Sequence, residues 1–444
     1  MTEVSTVFNI FPLRAAEDRA ALNFDTGRAR KDAEYQTMSE KLKSLLMVFP
    51  LAPWPARDNG VSIRYYPVLE SLSKKYDIDV FVHSEPRTSV PDDPVVGSLR
   101  RLAVQYCDRS PPGLADRALT IIEMLSPFGQ PYQFARYHSP PILRKLREFV
   151  TGQRYDSVLW VMHEHRHLLK RLNSQLNAAR TVYDGIDSPY LHYLREPTPG
   201  GLRSLYRTFD LWKTRRWERS LLKGVDAAAY ISAPDAAAST GGSDWSAEVI
   251  PNGIYLEGEE LAAPTQPSGA SLGFLGNMGY SQNVRGALRL YENVFLPLKK
   301  EFAELTLMII GRSPVTAVRA LSGPDVEITG TVDSIWPYIA RVNVFVYPMI
   351  GGAGLQNKIL EAMHAGKPVV TTEICLKSIG AKEGEEILVG RTDEELRAHT
   401  RTLLENREYA WEIGLRGKAY VDRTFNMPQV LERFERFLIP NGNV

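Results

Sequence analysis

The chain has 444 residues, of which 44% are hydrophobic and 24% are charged, a composition typical of two or three globular domains. Its net charge is +1, so it has no bulk attraction for nucleic acid, and any anion site must be local. The two cysteines lie far apart, no apolar run reaches about 18 residues, and the start lacks the pattern of a secretory signal. These features predict a cytoplasmic protein without a nucleic-acid partner.

Residues 1–43 are polar and show no sustained hydrophobic period, which predicts an N-terminal extension. The apolar run SLLMVF predicts a first strand at 44–49, and the pattern that follows predicts a helix over 61–75. Further strands of this half are predicted at 77–82, 155–162, 179–186 and 224–232. This alternation of strands and helices predicts a parallel sheet with crossover helices.

The same alternation restarts in the second half of the chain. Its predicted strands lie at 270–280, 305–311, 326–330, 342–349 and 368–372. Pro, Gly, Ser and Ala cluster over 233–270, which predicts the boundary between two α/β domains. Ligands of such sheets bind beyond the carboxyl ends of the strands, so we expect the site in a cleft between the domains.

A glycine cluster, an apolar helical run and a β-branched run follow one another at 351–372, in GGAGLQNKILEAMHAGKPVVTT. Glycines let a ligand approach the backbone, and the first turn of the predicted helix 355–365 offers N–H groups to an anion. Lys358 stands in or near that turn, where a cation is unfavourable by up to about 1 kcal/mol unless an anion offsets it. Glu361 shares its face of the helix. The pattern predicts a phosphate at Lys358 and hydroxyls at Glu361, and an exposed lysine–glutamate pair fits the spacing equally well.

The segment is neither a P-loop nor a complete dinucleotide fingerprint. It closely resembles the donor site of GT-B glycosyltransferases, in particular the retaining family GT4 (glycosyl transferases group 1). The likeness covers about residues 44–440 and includes LLMVFPLAPWPARDNGVSIRYY, VDAAAYIS with VIPNGI, SLGFLGNMGYSQNVRGA and LTLMIIGRSP.

The resemblance implies the GT-B fold, in which two Rossmann-like α/β/α domains face a cleft. The first domain, at 44–235, would lie on the acceptor side. The second domain, at 245–424, would bind the nucleotide sugar. A C-terminal helix at about 425–444 would pack back on the first domain.

The resemblance assigns the nucleotide sugar to residues of both domains. Glu361 is implied to bind the ribose hydroxyls, and Arg285 and Lys358 are implied to offset the charge of the diphosphate. The other implied donor-binding residues are Gly60, Arg64, Gly276, Asn277, Met278, Arg312, Val332, Gly352, Ala353, Gly354 and Leu355. Alanine at position 353 departs from the family, which often has an acidic residue there in contact with the donor sugar.

HEHRH at 163–167 formally matches the zinc motif HExxH, but a zinc site needs both histidines on one helix, and this motif follows a predicted strand directly. That strand end would face the cleft. His163 and Glu164 are therefore the catalytic candidates, and either could position an acceptor hydroxyl or accept its proton. A polar loop rim is the structural alternative.

YDGIDSPYLHYLR at 183–195 places two carboxylates after another predicted strand. Asp184 and Asp187 are candidates for binding acceptor hydroxyls. Turn and helix-capping chemistry explains Asp187 slightly better. The triplet DID at 77–79 resembles the metal motif of another glycosyltransferase fold, but it begins a strand, so we expect no essential metal.

Residues 202–224 contain seven basic and two acidic residues, interleaved with Leu, Tyr, Phe and Trp. The pattern predicts a helix that packs on the first domain's sheet and has a charged outer face. Peripheral contact with an anionic membrane surface is the alternative.

The resemblance implies transfer of a sugar from a nucleotide-diphosphate sugar to an acceptor hydroxyl, with retention of anomeric configuration, in polysaccharide or glycoconjugate biosynthesis. The acceptor would be a saccharide, a lipid-linked molecule or a small molecule, and no cofactor is expected. One alternative is an NAD(P)-dependent oxidoreductase, because strand–glycine-loop–helix units also build dinucleotide sites. Another is a catalytically impaired sugar-nucleotide-binding subunit, which Ala353 would explain.

Overall fold

A computed structural model of the protein describes two packed α/β units. The described residues are 22–24, 42–56, 59–84, 92–106, 121–122, 124–129, 131, 140–162, 168–169, 172, 175–196, 200–241, 245–254, 266–351 and 354–440.

The first unit is built on an eight-stranded sheet in the order β1-β4-β3-β2-β5-β6-β7-β8. All neighbouring strands are parallel except β1, which pairs antiparallel with β4. The strands are β1 (Leu22–Phe24), β2 (Ser44–Phe49), β3 (Asp77–Ser84), β4 (Arg101–Tyr106), β5 (Ser157–Val161), β6 (Thr181–Asp184), β7 (Ala227–Tyr230) and β8 (Glu248–Val249). Residues 45–49 of β2 are all buried, as expected for a parallel sheet covered on both faces.

The second unit is built on a six-stranded parallel sheet in the order β11-β10-β9-β12-β13-β14. Its strands are β9 (Ser271–Leu275), β10 (Thr306–Ile310), β11 (Val326–Ile328), β12 (Val344–Tyr347), β13 (Val369–Thr371) and β14 (Leu388–Val389). One continuous apolar cluster fills this unit, whereas the first unit has a cluster on each face of its sheet.

Helices cover both sheets. In the first half they are α1 (Gly60–Leu72), α2 (Pro94–Gly97), α3 (Pro140–Val150), α4 (Pro189–Leu194), α5 (Leu202–Leu222) and α6 (Ala233–Thr240). In the second half they are α7 (Ser281–Leu290), which continues through a π-turn (Tyr291–Phe295) into α8 (Leu296–Lys299), then α9 (Thr316–Arg319), α10 (Trp336–Ala340), α11 (Asn357–His364), α12 (Glu373–Ile379), α13 (Asp393–Glu405), α14 (Arg407–Thr424) and α15 (Met427–Leu438). In the described part of the chain no helix is long and apolar enough to cross a membrane.

Both sheets have the doubly wound order, with a topological switch between β2 and β5 in the first and between β9 and β12 in the second. The prediction of two Rossmann-like α/β domains is therefore confirmed. In the amino-acid sequence, Gly60, the HEHRH segment, Gly276 and the glycines of 351–354 come after β2, β5, β9 and β12 respectively. The sheet order thus explains why the predicted ligand residues follow those four strands.

The last helix, α15, lies against the first unit. Phe434 is 1% exposed, and its ring centroid is 5.8 Å from that of Tyr65 on α1. The first sheet ends with β8, beyond the predicted boundary at residue 235, because Val249 pairs in parallel with Tyr230. The chain between β8 and β9 therefore connects the two units.

Helix α5 packs its apolar side on the first sheet. Trp217, Leu221 and Leu222 are buried in one of the clusters of that domain. Asp79, in the DID triplet, is also fully buried, and it forms an ion pair with Arg100 (Nε–Oδ1 2.7 Å) at the start of β3.

Candidate functional site

Helix α11 presents an uncapped first turn beside a glycine loop. It begins at Asn357, and Gln356 provides no side-chain hydrogen bond to its first N–H groups. Such a helix end has donors and a partial positive charge available for an anion. Lys358 therefore lies in the first turn, where the sequence predicted a phosphate contact.

Lys358 is directed toward the loop that follows β9. Its Nζ donates to Asn283 Oδ1 at 2.5 Å, and Asn283 Nδ2 donates to the carbonyl of Asn277 at 2.9 Å. A Cβ at Gly276 would lie 3.0 Å from Asn283 Nδ2 and 3.5 Å from Lys358 Cδ, so glycine permits this close approach. Burial lowers the pKa of Lys358 to about 8. The lysine is thus desolvated next to the predicted diphosphate loop.

A second cation, Arg285 on α7, lies near Gly351, in the glycine loop that precedes α11. A Cβ at Gly351 would lie 4.0 Å from Arg285 Nη2. The Nε of Arg285 is buried and makes no hydrogen bond to any described residue. Two cations from different elements therefore flank the predicted diphosphate position, as a developing diphosphate charge requires.

Two backbone N–H groups of the loop after β9 are already bonded to carbonyls at the end of β10 and just after it. Gly276 N–H donates to the carbonyl of Ile310 (2.9 Å), and Met278 N–H donates to the carbonyl of Arg312 (2.9 Å). The side chain of Met278 is fully buried. Arg312 is thus joined to the loop through its backbone, and its side chain is exposed.

Glu361 lies one turn after Lys358 on α11 and is half-buried. Its charge contributes to the raised pKa of Tyr347, after burial, and the Tyr347 hydroxyl donates to the carbonyl of Lys358 (2.9 Å). The charge of Glu361 also opposes the lowering of the Lys358 pKa by burial, so the two side chains interact.

Carboxylates of the first domain contact Gly354, in the glycine loop that precedes α11. Gly354 has a φ of +74°, and a Cβ there would collide with the carboxylate of Asp187. The backbone N–H of Gly354 hydrogen-bonds to Asp235, at the start of α6. Burial and then the charge of Asp235 raise the pKa of Asp187 to about 7. The two domains are thus in direct contact at the motif that the sequence singled out.

The cap of helix α4 is Ser188 and not Asp187. Ser188 Oγ accepts from Leu191 N–H (3.1 Å), and Pro189 occupies the first turn. The capping explanation therefore does not account for Asp187, which is half-buried beside the loop.

Asp184 and Arg64 form a buried structural pair. Arg64 Nε donates to Asp184 Oδ2 at 2.8 Å, the hydroxyl of Tyr65 donates to the same oxygen at 2.5 Å, and both charged side chains are fully buried. Arg64 Nη1 also donates to Asn252 Oδ1 (3.1 Å), and Asn252 Nδ2 donates to Asn357 Oδ1 (3.1 Å). Arg64 therefore reaches α11 through Asn252, and the contacts of Asp184 are with the protein itself.

Some predicted site residues lie apart from these contacts. Gly60 begins α1, and a Cβ there would have no neighbour within 4 Å. Val332 is half-buried after β11, and Leu355 is 9% exposed in the core of the second domain. The described residues do not include His163, Glu164, Gly352 or Ala353. Among those that are described, no group of three or more His, Cys, Asp and Glu side chains could hold a metal ion.

Two residues next to the loop were not predicted as site residues. Asp235 lies in the first turn of α6, the helix that follows β7, and Asn252 lies in the connection between the domains. Their signal in the sequence was positional, since both follow apolar strand runs. Their pairing with Gly354 and Asn357 depends on how the domains pack.

Comparisons with known proteins match the second half of the chain to a glycosyltransferase family model and a larger part of it to one relative. Residues 269–406 match the family model described as "Glycosyl transferases group 1". An "uncharacterized 44.6 kDa protein in cps region" from Klebsiella pneumoniae is 21% identical over 297 residues, which are 64% of this chain and 75% of that protein.

Solved structures share the fold along nearly the whole chain. Sucrose-phosphate synthase from Thermosynechococcus elongatus aligns with a TM-score of 0.63 at 13% identity, over 89% of this chain and 98% of that one. TarM aligns with a TM-score of 0.62 at 10% identity, over 90% and 99%. HepE from Anabaena, in complex with UDP and glucose, aligns with a TM-score of 0.57 at 14% identity, over 90% and 99%.

Proposed function

We propose that this protein moves a sugar from a nucleotide-diphosphate sugar to an acceptor hydroxyl, which is supported by the match of residues 269–406 to glycosyl transferases group 1 and by the GT-B fold of the chain. The observation that carries the proposal is the arrangement around the first turn of α11. Lys358, Arg285 and the glycine loops surround a position suited to a diphosphate. The narrower assignment to family GT4 and the retention of configuration are part of this proposal.

In the proposed mechanism the second domain holds the leaving nucleotide. Lys358 and Arg285 stabilise the charge that develops on the diphosphate as the glycosidic bond breaks. Glu361 binds the ribose hydroxyls. The leaving diphosphate assists deprotonation of the acceptor, which enters from the first domain near Asp187, and His163 and Glu164 position its hydroxyl.

The base of the donor is proposed to be uracil. HepE was crystallised with UDP-glucose, and a trehalose-6-phosphate enzyme from E. coli was solved with UDP-2-fluoro glucose. Both share the fold at low identity, so they support a choice of first ligand and leave the sugar open. The matches give no support to the NAD(P)-dependent alternative.

A calorimetric titration tests the donor site. The wild-type protein is expected to bind UDP in preference to ADP, GDP and NADH. Glu361→Ala is expected to weaken UDP binding by roughly tenfold or more, because a charged hydrogen-bonding group to the ribose is removed. Glu373→Ala, an exposed glutamate on α12, is the matched control and should bind like the wild type.

Two outcomes would contradict the proposal. NADH binding without nucleoside-diphosphate binding would assign the glycine loops to a dinucleotide. Binding of the donor with neither turnover on an acceptor nor slow hydrolysis of the donor would favour the inactive binding subunit.

A further inference from the structure

Exposed apolar side chains of the first domain concentrate in two segments that are adjacent in space. One segment lies within residues 121–129, and the other is helix α5. Large hydrophobic side chains are normally scattered singly over a protein surface, so a cluster needs an explanation. We call the cluster the apolar surface, and its members, with their exposed fractions, are Ile121 (55%), Ile122 (62%), Leu125 (67%), Phe128 (77%), Leu205 (70%) and Trp212 (47%).

Direct contacts join the two parts of the apolar surface. Lys213 Nζ, on α5, donates to the carbonyl of Met124 at 3.0 Å. The guanidinium of Arg216 lies 4.8 Å from the ring centroid of Phe128 and 5.7 Å from that of Trp212. The segment around residue 125 therefore rests on the outer side of α5, and both parts form one surface.

Among the described side chains of α5 the exposed charges are arginines, whereas the buried charges are of both signs and include Arg207 and Lys213. Its two carboxylates, Asp210 and Glu218, are 2% and 1% exposed, whereas Arg215 and Arg216 are exposed. Leu205, Trp212 and Arg216 recur at the spacing of one helix face. The outer face of α5 therefore combines apolar groups with arginines, and its acidic groups point inward.

We propose that the apolar surface docks onto an anionic lipid bilayer. Ile, Leu and Phe side chains would enter the boundary between headgroups and acyl chains, and Trp favours that region. Arg215 and Arg216 would meet lipid phosphates, which attract basic residues close to the membrane. The same arginines disfavour a second copy of the chain, because a two-fold contact through this surface would bring like charges together.

This inference goes beyond the proposed function, since sugar transfer in a GT-B cleft requires no bilayer. It also uses residues that do not belong to the candidate donor site. Its test therefore needs no sugar transfer.

The test is co-sedimentation of the full chain with vesicles of phosphatidylcholine alone or mixed with phosphatidylglycerol. We expect binding to the mixed vesicles that weakens as salt is raised. The variants Leu125→Ser/Phe128→Ser and Arg215→Gln/Arg216→Gln should each lower the partition coefficient by roughly tenfold or more. Leu296→Ser and Leu415→Ser remove exposed leucines of the second domain and should bind like the wild type.

Melting temperature and UDP titration of every variant separate a docking defect from a folding defect. The proposal is overturned if the wild type does not bind the anionic vesicles, or if both double variants bind them with the partition coefficient of the wild type. Self-association lost in the same variants, without vesicle binding, would assign the surface to a second copy. Vesicle binding without any nucleotide binding would overturn the proposed function and leave this inference intact.

Discussion

At the scale of single residues, Lys358 links donor binding to pH. Its pKa of about 8 reflects burial, so close to half of the lysines are neutral at that pH in the protein without ligand. A bound diphosphate favours the charged form and raises the pKa. We therefore predict that UDP binding near pH 8 takes up protons and weakens as the pH rises further, which calorimetry in buffers of different ionisation enthalpy measures.

Lys367 gives a matched control for that prediction. Burial lowers its pKa to about 8 as well, but it lies beyond the C-terminal end of α11, and its Nζ donates to the carbonyl of Ala340. Lys358→Met should abolish the proton uptake, and Lys367→Met should preserve it. Equal uptake in wild type and Lys358→Met would remove the lysine from the diphosphate site.

Asp184 is the second residue whose role the contacts define. It accepts from Arg64 and Tyr65 in a fully buried site. Removing one partner of a buried ion pair costs about 3–5 kcal/mol, because the other charge stays buried. We predict that Asp184→Asn lowers the unfolding midpoint of the first domain, measured by calorimetry.

Asp333→Asn, in an exposed loop of the second domain, serves as the control for Asp184→Asn and should leave the midpoint unchanged. An unchanged midpoint in Asp184→Asn, combined with weaker acceptor binding, would restore the predicted acceptor role.

At the scale of elements, the turn between β6 and α4 contacts the loop before α11 through a carboxylate of unusual pKa. Asp187 has a pKa of about 7 against an ordinary 3.8, because it is buried near Asp235 and Asp184, with Arg64 acting in the opposite direction. The folded-state pKa is the higher one, so proton binding stabilises the folded state. This contribution is fully present below about pH 4 and is lost as the pH rises through about 7.

We predict that Asp187 lowers the melting temperature as the pH rises over that range, which is measured as the difference between the pH profiles of the wild type and Asp187→Asn. Glu218, whose pKa is raised to about 7 mainly by burial, would account for part of the remaining dependence. Melting curves at a series of pH values measure this. A pH profile identical to that of the wild type would show that Asp187 does not titrate in this range.

At the scale of the whole molecule, the last helix completes the first domain. Phe434 on α15 packs against Tyr65, and the guanidinium of Arg64 lies 4.7 Å from its ring centroid. Truncating a buried phenylalanine costs about 3–5 kcal/mol. We predict that Phe434→Ala lowers hydrogen-exchange protection in β2 and β5 and spares the second sheet.

The exposed residue Leu415, on α14, provides the control, and Leu415→Ala should change protection in neither sheet. Loss of protection limited to the second sheet would contradict the assignment of α15 to the first domain.

Much of the fold was predictable because its strands are continuous apolar runs. SLLMVF and the run before Gly351 are buried on both faces, so each has a pattern that a helix or loop does not share. Strands β1, β4, β8 and β14 were missed. Strand β4, RLAVQY, has only three consecutive apolar residues between Arg101 and Gln105, and β8 and β14 have two residues each, so their existence depends on neighbouring strands.

By itself the sequence determined the two α/β units, the strands with continuous apolar runs and the glycine motif that precedes α11. These are local patterns, set by side-chain period and by the backbone freedom of glycine. The tertiary structure decided which residues meet. It paired Asp184 with Arg64, placed Asp235 and Asp187 against Gly354, and buried both carboxylates of α5 while leaving Arg215 and Arg216 exposed. Those contacts join residues far apart in the chain, and burial and electrostatic partners exist only once the domains pack.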